Sequence, residues 1–125
     1  MVKSFILVFI GGGLGSVARY LLGKWFVQNG TLIPLGTLLA NIAACFILGF
    51  VVGLADHKQL LSPDARLFWT VGFCGGFSTF STFSAETLSL FQTGMPMVAI
   101  VYIASSVVFC LALTLAGLYL GQHLF

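Results

Sequence analysis

Residues 35–55 read LGTLLANIAACFILGFVVGLA, a run without a charged side chain. A helix needs roughly 20 mostly apolar residues to cross the hydrocarbon core of a bilayer. This run meets that length, and three others resemble it, over residues 4–27, 67–92 and 97–125. The chain as a whole is 59% hydrophobic and 6% charged, with a mean hydropathy of +1.11. A soluble domain carries about 25% charged residues, so so few charges cannot cover a water-facing surface. The solvent of this protein is lipid. Lipid admits only helices or closed barrels. The apolar runs are long and continuous, not the alternating stretches of about ten residues found in barrel strands. The expectation is an all-α membrane protein of four transmembrane helices. The 125 residues form one domain, with no room for a soluble one.

Working outward from residues 35–55, Pro34 precedes the run and Gln28-Asn29-Gly30 breaks the chain before it. Asp56 to Arg66, with Pro63 inside, is the one markedly polar connection. Thr93-Gly94-Met95-Pro96 reads as the last turn. Lys3, the apolar run from Phe5 and Ser16-Val17-Ala18 look like a cleavable leader. The apolar pattern continues past Arg19, so the segment reads as an uncleaved first span. Four spans put both termini on one side, together with Lys3, Lys58 and Arg66. Lys24 lies on the other side. The positive-inside rule then favours a cytoplasmic N-terminus by a margin small enough to permit insertion both ways.

The formal charge is +2 with scattered charges, and no basic run points to nucleic acid or anionic lipid. Cys45, Cys74 and Cys110 fall within apolar runs at no metal-ligand spacing and read as small packing residues. Gly11 and Gly15, and Gly12 and Ser16, are small residues four apart, which lets helices approach closely. Arg19 lies one turn beyond Gly15. Its side chain either snorkels to the interface or attracts anions to a pore mouth.

Chemistry concentrates in Gly75-Gly76-Phe77-Ser78-Thr79-Phe80-Ser81-Thr82-Phe83-Ser84-Ala85-Glu86. Two glycines and a cluster of hydroxyls make a poor continuous helix, so a break is expected near Gly75 to Thr79. Such a break is either a packing kink or an ion site with freed carbonyls. Phe80 and Phe83 share a helix face. They are either lipid and core contacts, or ring edges, electropositive at the rim, turned toward an anion. Thr37 and Asn41, four apart, share a face of the second span. The Asn41 amide either hydrogen-bonds between helices or donates to a hard anion. Tyr102, Ser106, Cys110 and Thr114 form a semi-polar stripe on the fourth span, which lines a path or joins helices.

These residues resemble a known family. Residues 75–86 are similar to the signature of the CrcB/Fluc fluoride channels of bacteria. Gly36-Thr37-Leu38-Leu39-Ala40-Asn41 and Gly11-Gly12-Gly13-Leu14-Gly15-Ser16-Val17-Ala18-Arg19 resemble that family's second-span and first-span motifs. The resemblance covers essentially the whole chain. It implies an antiparallel, dual-topology homodimer in the bacterial inner membrane, with two fluoride pores and one central structural sodium ion. Phe80, Phe83 and Asn41 match pore positions. Ser81, Thr82 and Glu86 match a polar track. Tyr102 and Ser106 match variable fourth-span positions, and Cys110 stands where relatives carry serine. The backbone carbonyls of Gly75 and Ser78 match the sodium ligands.

Two other classes compete with a passive channel. A small proton-coupled exporter would use Glu86, the one acidic residue within a span, as its proton site. A non-transporting assembly subunit would leave Asn41 and Glu86 without a task. With no nucleophile–base pair and no metal-ligand cluster in the sequence, an enzyme is not expected.

Overall fold

The structure, a computed structural model, describes residues 1–27, 32–58 and 60–124. The described residues fold into helices joined by short connections. Helix α1 spans Val2–Val27 and α2 spans Leu35–Gly53, extended by a wider π-helical turn, Leu54–Lys58. Helix α3, Pro63–Leu67, runs into a π-helical stretch, Phe68–Cys74, and then into α4, Gly75–Phe77. Ser78 and Thr79 are extended, and α5 resumes over Phe80–Gln92. Helix α6 spans Pro96–His123.

Local chemistry sets these limits. Pro34 precedes α2, where a missing N–H costs nothing. Ser62 Oγ accepts the Ala65 N–H at 3.1 Å and Pro63 occupies the first turn of α3. Gly94 takes a φ of 79° between α5 and Pro96, a left-handed turn that suits glycine. The expected turn at Gln28-Asn29-Gly30 lies outside the described residues. The polar connection is partly helical at both ends, with Leu54–Lys58 and Pro63–Leu67 ordered into turns.

Among the described residues, three helices are long and apolar enough to cross a membrane: Val2–Phe26, Leu35–Asp56 and Pro96–His123. The stretch between α2 and α6 reaches comparable length only as a series of shorter pieces. Lys3 Nζ meets Asp64 Oδ2 at 2.7 Å, and Arg66 pairs with Asp56. A Cβ on Gly53 would lie 3.0 Å from Gly121 Cα. The start of α1, the connection after α2 and the end of α6 therefore share one end of the molecule.

The helices meet through glycine. A side chain at Gly49 would overlap the Thr114 carbonyl, and one at Gly117 the Phe46 carbonyl, so α2 and α6 touch backbone to backbone. On α1, a Cβ at Gly11 would lie 2.8 Å from the Phe68 carbonyl oxygen, and one at Gly15 would overlap that of Phe73. The small-residue spacing of α1 thus receives the partner it calls for. Two small cores flank α2. Leu38 packs with Leu90, Ala99 and Tyr102, while Ala40 and Ala44 pack with Cys74 and Phe77.

Candidate functional site

The extended pair begins at Ser78 (φ −84°, ψ 157°) and continues through Thr79 (φ −156°, ψ 119°). An unbroken helix would pair the N–H groups of residues 79–81 with the carbonyls of 75–77. Here those groups need other partners. Ser78 keeps the Cys74 carbonyl, through its N–H at 2.9 Å and its Oγ at 2.7 Å. The Asn41 amide, from α2, takes both main-chain groups of Thr79. Its Oδ1 accepts the Thr79 N–H at 2.8 Å and its Nδ2 donates to the Thr79 carbonyl at 3.3 Å. It thereby acts as a neighbouring strand's peptide would. From α1, Arg19 Nε donates to the Gly76 carbonyl at 3.0 Å. Thr79 Oγ1 accepts the Thr82 N–H at 3.2 Å and caps α5, within reach of the Ser81 and Thr82 hydroxyls.

The helical part differs from the expectation in one respect. Gly75 to Phe77 are helical, and the non-helical residues are Ser78 and Thr79. Gly76 packs directly on Gly12 of α1, so tertiary contact offsets the cost of glycine in a helix. Arg19, read as a snorkelling or anion-attracting side chain, has a backbone partner in Gly76. Thr79 was not singled out from the sequence, although a hydroxyl three residues before Thr82 is an N-cap signal.

About two turns beyond Thr79, Glu86 accepts two hydrogen bonds from two other helices. Thr37 Oγ1 donates to its Oε2 at 3.0 Å and the Tyr102 hydroxyl to its Oε1 at 2.9 Å. A carboxylate among apolar helices is costly unless it is partnered, and each oxygen here has a donor. Tyr102 is fully buried. Glu86, Thr37, Thr82 and Arg19 line a common cavity of about 680 Å³, together with Lys24 and Tyr20. Four residues singled out from three separate spans thus meet around one space.

The aromatic pair divides its roles. The Phe80 and Phe83 ring centroids lie 5.6 Å apart, and Phe83 continues onto Tyr102 at 5.1 Å. Phe80 remains 78% exposed on the protomer surface. Ser106, one turn beyond Tyr102, is buried, and its Oγ lacks a hydrogen-bond partner among the described residues. The rest of the fourth-span stripe turns inward on itself, since Thr114 Oγ1 donates to the Cys110 carbonyl at 2.8 Å. Gly75 and Ser78 line a second, smaller cavity of about 160 Å³, beside Cys45, Thr70 and Cys74.

The family model described as CrcB-like protein, Camphor Resistance (CrcB), matches residues 6–118. The chain belongs to the CrcB family. It is 42% identical over 120 residues to a Rhizobium etli protein named fluoride-specific ion channel FluC, covering 95% of this chain and 96% of that protein. Proteins of the same name from Agrobacterium fabrum and Chlorobaculum tepidum are each 43% identical, over 120 and 122 residues. The matches cover 95% and 98% of this chain, and 96% and 97% of those proteins. CrcB proteins are ion channels and not enzymes. The apolar helices and the channel family together make this chain a multi-pass membrane protein. In this CrcB chain the interrupted helix, with its braces from α1 and α2, stands next to the cavity that holds Glu86.

Proposed function

We propose that the protein is a fluoride-selective channel that passively exports fluoride from the cytoplasm. The observation that carries this reading is the interrupted helix at Ser78–Thr79, with Asn41, Thr82 and Phe83 around it, in a chain whose relatives are named fluoride-specific channels. Asn41 has a second amide hydrogen beyond the one spent on Thr79. Hydroxyls of Ser81 and Thr82, the rim of Phe80 and Phe83, and the Ser106 hydroxyl, without a partner among the described residues, offer weak, repeated contacts to a small anion. Conduction needs binding of that kind, favourable enough to enter and weak enough to leave. Tyr102 and Thr37 hold the Glu86 carboxylate along this track. The driving force needs no coupled energy. Hydrogen fluoride enters uncharged and dissociates in the less acidic cytoplasm. A negative-inside potential then expels the ion, at about 2.3 kcal/mol per charge per 100 mV.

The working unit in this reading is an antiparallel, dual-topology homodimer of four-span protomers in the inner membrane, with a structural sodium ion at its centre. The donor set fits sodium. Thr79 gives its N–H to Asn41, so the Gly75 carbonyl loses its ordinary helical donor. Ser78, whose own carbonyl follows the last helical residue of α4, lines the same small cavity as Gly75. Backbone carbonyls are hard ligands, and without a carboxylate they suit a monovalent ion better than calcium or magnesium. Bound there, the ion supplies fixed positive charge near the anion track. Exchange of sodium for a large organic cation during purification is expected to loosen the dimer or reduce flux. Undiminished flux and an intact dimer without sodium would remove the ion from the reading.

The decisive experiment is fluoride efflux from liposomes holding the purified protein, with potassium ionophore to balance charge. Fluoride is expected to leave and chloride to stay. Equal fluxes of the two would end the fluoride reading. Strict dependence on a proton gradient would instead support an exporter working through Glu86.

A further inference from the structure

An interruption in a membrane helix leaves carbonyls that lipid cannot satisfy. The Gly76 carbonyl would ordinarily accept from the Phe80 N–H, and the extended pair between them carries that N–H out of reach. Its partner here comes from fifty-seven positions earlier in the chain, the Nε–H of Arg19 at 3.0 Å. The contact has a structural cause. Gly12 lets α1 touch Gly76 directly, and Arg19 lies two turns later on the same face of α1. Helical side chains lean toward the N-terminus, so Arg19 reaches back along its own helix to the carbonyl at that contact.

We propose that Arg19 is a positioning residue for conduction: its guanidinium holds the Gly76 carbonyl and so fixes the direction in which Ser78 and Thr79 leave the helix. Asn41 fixes the same pair from α2. The interruption is therefore braced from two helices within a single protomer. The role belongs to the Nε–H and its planar fork. A lysine carries the same charge as a point on a flexible stem and cannot reproduce that bond. This inference rests on the ion-conduction reading of the site, and its first test is independent of flux.

Three glycines precede phenylalanine in the chain, at 49–50, 72–73 and 76–77. Labelling glycine carbonyls with ¹³C and phenylalanine nitrogens with ¹⁵N therefore isolates three carbonyl signals in solid-state NMR of the full chain in bilayers. In the unaltered protein, ¹⁵N-labelled Arg19 Nε is expected to show a dipolar contact to the Gly76 carbonyl carbon. Absence of that contact overturns the proposal whatever the variants do. In Arg19→Lys, the Gly76 signal is expected to move while those of Gly49 and Gly72 stay, which also reports the fold. Flux in Arg19→Lys and Arg19→Gln is expected to fall together, by about tenfold or more for one lost charge-assisted bond. The loss should be the same at low and high concentrations of an inert salt. Were Arg19 only an attractor of anions, Arg19→Lys would conduct normally. The deficit of Arg19→Gln would then shrink as the Debye length falls from about 10 Å at 0.1 M to about 3 Å at 1 M. That pattern, or an unmoved Gly76 signal in Arg19→Lys, overturns the proposal. A wild-type protein that passes no fluoride would instead refute the channel reading and leave the NMR result standing on its own.

Discussion

The seam between α2 and α6 and the interruption at Ser78–Thr79 are held by opposite means. At the seam, Gly49 and Gly117 bring two complete helices into backbone contact. Each helix already satisfies its own hydrogen bonds, so shape alone closes it. At the interruption the backbone is incomplete, and side chains from other helices complete it: Asn41 on Thr79 and Arg19 on Gly76. Small residues serve where the main chain is saturated. Amide and guanidinium groups serve where it is not. The first arrangement tolerates no added volume, and the second tolerates no change of donor or acceptor.

The largest effect expected from this contrast is on folding. Gly49→Leu places a side chain where the Thr114 carbonyl already sits, and overpacking of this kind costs about 3 kcal/mol or more. Size-exclusion profiles after detergent extraction should show little folded protein. A stable, monodisperse Gly49→Leu variant would mean that the seam is looser than its geometry.

Changes at the interruption should spare folding and strike transport. Asn41→Asp keeps the volume but sets a second acceptor against the Thr79 carbonyl and adds negative charge. Fluoride flux is expected to fall about a hundredfold, the equivalent of roughly 3 kcal/mol, with the oligomer intact. Normal flux in folded Asn41→Asp protein would take Asn41 off the path. Phe80→Ile and Phe83→Ile keep apolar bulk but lose the ring rim, and a drop of about tenfold is expected, one factor of ten being about 1.4 kcal/mol. The control is Phe50→Ile, whose ring stacks on Phe46 away from the site. If all three variants lose flux equally, the effect is packing and not ring chemistry.

The smallest expected change is at Glu86. Tyr102→Phe removes one of its two donors and leaves Thr37. A single interhelical hydrogen bond in a membrane is worth about 1 kcal/mol, so thermal stability should fall slightly and flux by a few-fold. Thr37→Val should do the same, and the double variant should exceed the sum, since it strands the carboxylate. Additive losses would show that Glu86 does not depend on the pair as a unit.

Much of the fold was legible because its signals are local. Three uninterrupted helices follow from apolar length, and Pro34, Pro63, Gly94 and Pro96 mark helix limits that the structure reproduces to within a few residues. The close approach of α1 was readable from Gly11 and Gly15. The α2–α6 seam carries the same four-residue spacing, Gly49 with Gly53 and Gly117 with Gly121, and Gly117 and Gly121 continue the face of α6 that carries Cys110 and Thr114. The site was legible as a set of residue types but not as a set of partners. Nothing near Arg19 in the chain announces Gly76, and nothing near Asn41 announces Thr79, because those contacts form only when helices distant in sequence pack. Gly75 to Phe77 stayed helical for the same reason, with Gly12 compensating for poor propensity. The wider turns at Phe68–Cys74 have no composition to mark them.

Those wider turns act as slack for everything downstream. In an α-helix one residue is worth 100° of rotation about the axis, and an i→i+5 stretch arises where a residue has been accommodated beyond the α-helical count. The cap of this stretch shows it, with the Gly75 N–H reaching back to the Thr70 carbonyl. Removing one residue between 68 and 74 would restore ordinary winding at little local cost. With the wide turn closed to the α-helical count, α4 and the extended pair would keep their facing toward α1 and α2, whereas one residue removed from an ordinary turn swings everything beyond it by about 100°. Gly76 would stay against Gly12, and Thr79 against Asn41. The wide turn is thus slack in the thread, taking up a residue of chain without moving the parts that the thread aligns.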